Sequence, residues 1–181
     1  MIVLFAIATY RSMYITVNAT LDNASFLIAK RIQDSGFHAY PVPASQTLNN
    51  GKLEAVFSHK LAANLAGLGW IGKNCLLITL ECGPRIRLAT ILTNAPLKPG
   101  VPIKESCDQC RKCVDMCPSK ALTGVAFNSS ESRDVRFQAS LCDRYTEGRI
   151  PTFGDVNCGL CMYVCPYGNV NIKSKQSVVV R

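Results

Sequence analysis

The chain has 181 residues, 48% of them apolar, so it can bury the core of one ordinary domain together with a small one. Its formal charge is +8, but the basic residues are scattered without interleaved aromatics, which favours a solvated surface or an acidic redox partner protein over nucleic-acid binding. The apolar start Met1–Ala8 is shorter than the roughly 20 residues of a membrane span, and no charged n-region or long apolar h-region opens the chain. We therefore expect a cytoplasmic protein with no membrane segment.

The first hundred residues predict a mixed α/β domain. Apolar residues at helical spacing alternate with short β-rich runs, and prolines and glycines mark the connections between them. In chain order the predicted elements are a buried strand at Met1–Ala8, a helix through Leu21 and Ile32 that ends at Gly36, an extended segment over 37–43, a helix over 56–66, and strands over 76–80 and 86–93 joined by a short connection.

A glycine-rich loop follows the second predicted helix and holds the only tryptophan of the chain. Its residues are Gly67, Gly69, Trp70, Gly72 and Lys73, and its glycines match the G-x-G-x-x-G pattern of nucleotide-binding loops. Those loops need a strand before the glycines and a helix after them, so that phosphate meets a helix N-terminus. The order is reversed here, which argues against nucleotide binding. Two interpretations remain: the loop lies against a flat cofactor, or it closes a helix-to-strand turn with the tryptophan in the core.

Three reactive side chains of this region carry no catalytic pattern. His59 lies alone on the second helix, where a surface or structural histidine is the commoner case. Cys75 and Cys82 fall outside any ligand spacing and are interpreted as inert small residues. Neither a Ser/His/Asp set nor a carboxylate pair indicates a hydrolase. Prolines and a glycine between 96 and 102 predict a linker, which divides the chain into residues 1–98 and 99–181.

The second predicted domain contains the strongest motif of the chain. Cys107, Cys110, Cys113 and Cys117 form C-x2-C-x2-C-x3-C-P, the run of bacterial ferredoxins whose fourth cysteine binds the other of two clusters. A second half-motif lies downstream: the x2 and x3 spacings and the final proline recur, and a further cysteine precedes them. Its members are Cys142, Cys158, Cys161 and Cys165.

Eight of the ten cysteines thus sort into ligands for two 4Fe–4S clusters. The x2 spacing wraps sulfurs around one cube, whereas the x3 spacing and the proline turn the last sulfur away from it. Cluster one is assigned to Cys107, Cys110, Cys113 and Cys165. Cluster two is assigned to Cys142, Cys158, Cys161 and Cys117. Structural zinc and disulfides are the alternatives, although zinc ribbons favour two separate C-x2-C pairs. The predicted fold class is α+β, with a bacterial-ferredoxin-like double-cluster domain after the α/β domain.

These motifs together resemble the epoxyqueuosine reductases and their relatives, the corrinoid-dependent reductive dehalogenases. The likeness runs from about Phe57 to Pro166 and includes the glycine loop, the Ile91–Asn94 segment and both cysteine motifs. It implies that the first domain is an incomplete corrinoid-reductase-like domain. In that family, two 4Fe–4S clusters feed electrons to a base-off cobalamin that is bound on the α/β domain. The loop residues Gly67, Gly69, Trp70, Gly72 and Lys73 would then contact that cofactor.

The chain also departs from the family pattern. The acidic proton donor of the epoxyqueuosine reductases has Glu54 as its only candidate here, at an uncertain register. The N-terminal part is shorter than the family's, and no helical-repeat segment follows the clusters, so we do not expect tRNA to be a partner, and the resemblance implies no particular substrate. Two functions stay open: a reductase component whose clusters serve a cofactor, or a ferredoxin-like electron carrier with a cofactor-free docking domain.

Overall fold

The computed structural model describes residues 2–45, 53–148 and 158–168. The C-terminal limit of the predicted second domain lies outside these residues. Within them the chain is a mixed helix and strand fold, as the sequence predicts. None of the described helices is both long enough and apolar enough to cross a membrane.

The chain begins with one long helix, α1, over Ile2–Asp34. The predicted strand at Met1–Ala8 is therefore wrong for residues 2–8, and Met1 lies outside the described residues. No glycine or proline occurs between 2 and 34, so nothing stops the helical periodicity of the later residues from extending backwards. The predicted end at Gly36 is confirmed: this residue has φ +88°, and its N–H donates to the Gln33 carbonyl at 2.9 Å.

Helix α1 lies against a pair of antiparallel strands, β1 at Ala39–Val42 and β4 at Thr90–Thr93. The Asp22 carboxylate accepts from the Ala44 N–H at 2.7 Å, which fixes the chain where it leaves β1. The partner of β4 is thus a strand about fifty residues earlier, and not the preceding strand along the chain.

A second antiparallel pair surrounds the glycine loop. Helix α2, His59–Leu65, begins at Ser58, whose hydroxyl accepts from the Leu61 N–H at 3.3 Å. Strand β2 at Trp70–Ile71 then pairs with β3 at Leu77–Ile78. Both strands are buried, and they form the floor on which the cysteine-rich part of the chain is packed.

The cysteine-rich part is built from short helices. They are α3 at Lys112–Asp115, a 3-10 turn at Arg133–Val135, α4 at Ala139–Glu147 and α5 at Leu160–Tyr163. Between them, Leu122 makes an antiparallel β-bridge with Phe137. Cys142 lies in the middle of α4.

The two predicted domains share a hydrophobic cluster across the proposed boundary. Trp70 and Ile78 from the β2–β3 pair contact Cys107, Cys165 and Tyr167. The boundary near residue 98 remains a prediction, but the residues on its two sides are packed together here.

Candidate functional site

Four cysteines from distant parts of the chain converge on one small cavity. Cys107, Cys110, Cys113 and Cys165 line it. The first two lie on a tight turn in which the Cys110 N–H donates to the Cys107 carbonyl at 2.8 Å. Cys113 sits on α3, and Cys165 follows α5, with Ile78 and Tyr167 completing the wall. The last cysteine of the second motif therefore meets the first three of the first motif.

The remaining motif cysteines gather on the other side of α3. Cys117, Cys142 and Cys161 border one hydrophobic cluster with Val114 and Leu122. Burial raises the pKa of Cys142, and the nearby Cys158 and Cys117 thiolates raise it further, so all four sulfurs are neighbours. The crossed ligand assignment, with bound clusters, remains a prediction.

Burial and mutual repulsion make both groups poor places for bare thiolates. The pKa of Cys113 rises to about 11, first through burial and then through Cys107 and Cys110. The pKa of Cys161 rises to about 12 through burial, followed by Cys158, Cys142, Cys113 and Cys117. Thiolates are nevertheless the form that binds metal, so a compensating positive charge is required in each group. Iron supplies that charge in a cubane.

A single metal ion and a cubane place different demands on four cysteine sulfurs. Within 2–45, 53–148 and 158–168, no three His, Cys, Asp or Glu side chains approach closely enough to hold one metal ion. A structural zinc ion would need four ligands within about 2.0–2.3 Å of one point. A cubane spreads its four thiolates over four separate iron atoms.

Hydrogen-bond donors point at the ligand sulfurs. Burial opposes ionisation of Cys117, but hydrogen bonds from the Ser119 hydroxyl and from backbone N–H groups, including that of Ala121, outweigh it and lower its pKa. Burial raises the pKa of Cys107, while the backbone N–H of Lys73 and the indole N–H of Trp70 oppose the rise. The Trp70 Nε1 is buried without a hydrogen-bond partner of normal geometry, so a sulfur acceptor beside it fits a cluster thiolate.

Two basic side chains of the N-terminal part hold the first cysteine group in place. The Lys73 Nζ donates to the Asp108 carbonyl at 2.5 Å and to the Cys110 carbonyl at 3.4 Å. The sequence predicts that Lys73 contacts a cofactor, whereas in the structure its ammonium contacts the turn that carries Cys107 and Cys110.

Arg85 makes the corresponding contacts on the opposite side and was not singled out by the sequence. Its guanidinium donates to the carbonyls of Tyr167 at 2.7 Å, Tyr163 at 3.0 Å and Cys165 at 3.1 Å. All three acceptors are backbone carbonyls, which carry no signal in the sequence, so spacing alone could not reveal this role.

The glycines of the loop are required by contacts within the chain. A Cβ on Gly67 would lie 2.4 Å from the Val101 carbonyl oxygen, and one on Gly69 would lie 2.2 Å from that of Ile78. A Cβ on Gly72 would meet the Ile78 side chain at 2.3 Å. Each of these distances is far below van der Waals contact, so the loop has a packing reason for its glycines that needs no ligand.

Trp70 is likewise engaged by protein. It is 1% exposed, and its ring meets Tyr167 edge-on, with ring centroids 4.8 Å apart and an interplanar angle of 83°. The helix-to-strand turn with a buried tryptophan therefore accounts for the described contacts of the loop. Binding of a corrinoid by these residues remains a prediction.

His59 has a structural role on α2. Its Nε2 lies 2.9 Å from the Pro43 carbonyl, which can only accept, so Nε2 donates and Nδ1 accepts from the Thr90 hydroxyl at 2.8 Å. Both ring nitrogens thus tie α2 to the β1–β4 pair. Cys75 is buried, and burial raises its pKa, which agrees with an inert thiol; Cys82 is exposed.

A cavity of about 650 Å³ is lined by residues from both parts of the chain. They include Cys75, Glu54 and Met162, and Met162 directly follows Cys161 of the second cysteine group in the sequence. The size is typical of a site for a cofactor or a small ligand. A shallower groove of about 730 Å³ follows β1 and β4, but none of the cysteines line it.

Comparison with known proteins agrees with this geometry. Residues 106–169 match the model of the 4Fe-4S dicluster domain. The epoxyqueuosine reductase of Bacillus subtilis is 35% identical over 116 residues, which cover 60% of this chain and 28% of that protein. The tetrachloroethene reductive dehalogenase of Sulfurospirillum multivorans is 37% identical over 116 residues, which cover 59% of this chain and 23% of that protein.

Solved structures give the same likeness. The epoxyqueuosine reductase from Bacillus subtilis superposes with a TM-score of 0.61 at 24% identity, covering 84% of this chain and 39% of that one. An epoxyqueuosine reductase crystallised with an epoxyqueuosine-modified tRNA-Tyr stem loop gives 0.60 at 25% identity, with the same coverage of 84% and 39%. This chain thus spans less than a third of the two curated relatives and about two fifths of the solved ones.

The tRNA complex corrects one expectation. A protein similar to this chain is seen with a tRNA stem loop, so the expectation that tRNA is not a partner is wrong. The absence of a helical-repeat segment was a poor guide, because it says nothing of the surface that the shared part of the fold presents. The resemblance itself is confirmed: this chain carries a 4Fe-4S dicluster domain and is similar to part of the epoxyqueuosine reductases and of a reductive dehalogenase.

Proposed function

We propose that this chain is an iron–sulfur reductase, or the cluster-binding part of one, which delivers electrons to a ligand in the 650 Å³ cavity. The observation that carries the proposal is the meeting of Cys165 with Cys107, Cys110 and Cys113 at one cavity, which makes the two cysteine motifs a single interlocked unit.

The ligand assignment follows the crossed pattern. Cys107, Cys110, Cys113 and Cys165 hold cluster one, and Cys142, Cys158, Cys161 and Cys117 hold cluster two. In support, α3 and α5 are packed against each other, and Cys113 of the first group lies near enough to Cys161 of the second to raise its pKa. Each 4Fe–4S cluster supplies one-electron transfer when it is bound. Met162 of the cavity wall directly follows Cys161 of the second group, which supports a short path from cluster two to the cavity.

The ligand of the cavity is proposed to be a base-off corrinoid. Three features support this: the resemblance to a reductive dehalogenase, the size of the cavity, and the presence in its wall of Met162, which directly follows Cys161 of the second cysteine group. The cavity is a better location than the glycine loop, because Gly69 and Trp70 already contact protein. Glu54 lines the cavity and is the candidate proton donor.

The substrate class is proposed to be a modified nucleoside in tRNA. The proposal comes from the relatives that are named epoxyqueuosine reductases, one of which is solved with a modified tRNA stem loop. A reductive dehalogenase is equally similar to this chain over its matched residues, so a small halogenated substrate is the competing class.

A ferredoxin-like electron carrier is the second candidate function. The observation that favours it is the packing of the glycine loop. The loop residues that were predicted to contact a cofactor contact Val101, Ile78 and Tyr167 instead. In that case the N-terminal part only docks a redox partner protein, and the large cavity holds no corrinoid.

Corrinoid titration separates the two candidates. Protein that is reconstituted anaerobically with both clusters should shift hydroxocobalamin or cob(II)alamin to its base-off absorption spectrum. The matched variant is Ala55→Trp, which places a large side chain in the cavity from an exposed position of its lining. It should abolish the change in the corrinoid absorption spectrum while iron content stays unchanged. If the wild-type protein with intact clusters gives no shift, the electron carrier is the better function.

A further inference from the structure

One wall of the large cavity is strongly basic. Lys60 from α2, Arg133 from the 3-10 turn, and Arg136 just after it line the same side, and Arg87 lies nearby. Lys60 and Arg136 are 76 positions apart in the sequence, and only the fold brings them together. The two acidic residues of the cavity, Glu54 and Glu131, are both exposed.

Arg136 is the most unusual member of this wall. It is only 7% exposed, and its Nε is buried with no hydrogen-bond partner among the described residues. Its guanidinium stacks over the Phe127 ring, 4.6 Å from the centroid, and the residue lines the cavity. A buried cation that lacks a carboxylate is costly, so the site is suited to an anion brought in from outside.

Lys60 adds a second charge close to it. Its Nζ donates to the Cys75 carbonyl at 2.6 Å, and none of the ion pairs within the described part of the chain includes Lys60 or Arg136. Burial lowers the pKa of Lys60, and repulsion from Arg133 and Arg136 lowers it further, whereas negative charge on Cys75 or Cys161 would act in the opposite direction. The three cations are thus close enough to repel one another.

Arg133 and Arg87 are held in place around them. Arg133 donates to the Leu53 carbonyl at 2.9 Å and lies 3.6 Å from the Asp134 carboxylate. Arg87 donates to the Asn18 side chain at 2.8 Å. These contacts orient the outer part of the wall, while Lys60 and Arg136 form its inner part.

We propose that the inner wall, formed by Lys60 and Arg136, binds a phosphate group of the ligand that enters the cavity. A guanidinium fork beside an ammonium presents several charge-assisted donors, which matches the several oxygens of a phosphate better than a single carboxylate. The identity of the phosphate source rests on the proposed function: the phosphate belongs either to a corrinoid nucleotide tail or to an RNA backbone. Binding of inorganic phosphate by the inner wall does not depend on the proposed function.

The test begins with inorganic phosphate and cluster-loaded protein, measured by calorimetry at low ionic strength. Loss of a charge-assisted contact should weaken binding by at least about tenfold. Lys60→Met and Arg136→Gln are the two variants, and Arg136→Lys keeps the charge without the fork if Arg136→Gln does not fold. Arg144→Gln removes an exposed cation of α4 and is the control.

Two further arms identify the source. Cobalamin is compared with cobinamide, which lacks the nucleotide tail, and an RNA stem loop is titrated separately. Preference for cobalamin over cobinamide that disappears in Lys60→Met assigns the phosphate to the corrinoid. RNA binding that weakens in the same variant, with both corrinoids unaffected, assigns it to RNA.

The inference is overturned if phosphate does not bind saturably to protein with intact clusters, or if Arg144→Gln weakens binding as much as the wall variants do. It is also overturned if Lys60→Met changes neither the preference for cobalamin over cobinamide nor the affinity for the RNA stem loop. RNA binding that Lys60→Met weakens, without a corrinoid shift, would leave the site in place and remove only the corrinoid from the proposed function.

Discussion

Replacing Trp70 with alanine tests whether this side chain belongs to the core or to a cofactor surface. The ring is 1% exposed and contacts Tyr167 edge-on, together with Ile78 and the cluster-one cysteines Cys107 and Cys165. If these contacts are its role, Trp70→Ala should destabilise the protein by about 3–5 kcal/mol, the usual cost of removing a buried large aromatic side chain. Part of that cost, about 0.5–1.5 kcal/mol, comes from the aromatic pair.

The expected loss translates into a large thermal shift. For a protein of this size each kcal/mol lowers the midpoint by roughly 2–4 °C, so Trp70→Ala should lower it by roughly 6–20 °C. The midpoint is read from the loss of cluster absorbance at a fixed scan rate, because unfolding of a cluster protein is irreversible. Trp70→Phe keeps an aromatic ring against Tyr167, so its midpoint should lie between those of the wild-type protein and of Trp70→Ala.

An exposed aromatic residue gives the matched control. Tyr163 lies on α5, close to the same cysteine group, but its side chain is 76% exposed. Tyr163→Ala should change stability by no more than about 0.5 kcal/mol, as surface substitutions usually do. The reasoning is refuted if Trp70→Ala keeps the wild-type midpoint but loses the corrinoid absorption shift, since the ring would then serve a cofactor.

Three further predictions concern the clusters. Anaerobically reconstituted protein should contain about eight iron and eight sulfide per chain, and about four iron or stoichiometric zinc would contradict two cubanes. Cys165→Ser should disturb the paramagnetic resonance signal of the cluster held by the first motif, while Cys75→Ser leaves iron content unchanged; a disturbance confined to the cluster of the second motif would show that the ligands do not cross. Arg85→Met removes three hydrogen bonds to the turn that ends at Tyr167 and should speed the loss of cluster one under a chelator, leaving cluster two at its wild-type rate.

The cysteine arrangement could be predicted from the sequence because it is governed by local geometry. The x2 and x3 spacings fix which way each sulfur points within one or two turns, so the meeting of Cys165 with Cys107 follows from the motifs. The end of α1 at Gly36 was predictable for the same reason, since a positive φ at a glycine stops a helix wherever the fold places it.

Features that depend on distant partners were not predictable. The apolar run at the N-terminus suits a strand or a helix equally by composition, and only its continuity with the later helical residues decides for α1. Strand β4 pairs with β1, so its partner cannot be found from its own residues. Lys60 and Arg136 looked like scattered surface charges, because the fold that brings them to one wall has no signature in their spacing.

The first cysteine group makes the folding of the two parts of the chain interdependent. Cys165 reaches its site only when the turn after α5 lies against the β2–β3 pair, where Arg85 binds three of its carbonyls and a Cβ on Gly83 would lie 2.0 Å from the Tyr167 carbonyl oxygen. A cluster bound by this cysteine therefore stabilises the packing of Trp70 as well, because metal binding to a site formed on folding adds its free energy to the fold. Loss of that cluster should loosen the wall between the N-terminal part and the cysteine-rich part, so the environment of the single tryptophan should report the occupancy of cluster one and not that of cluster two.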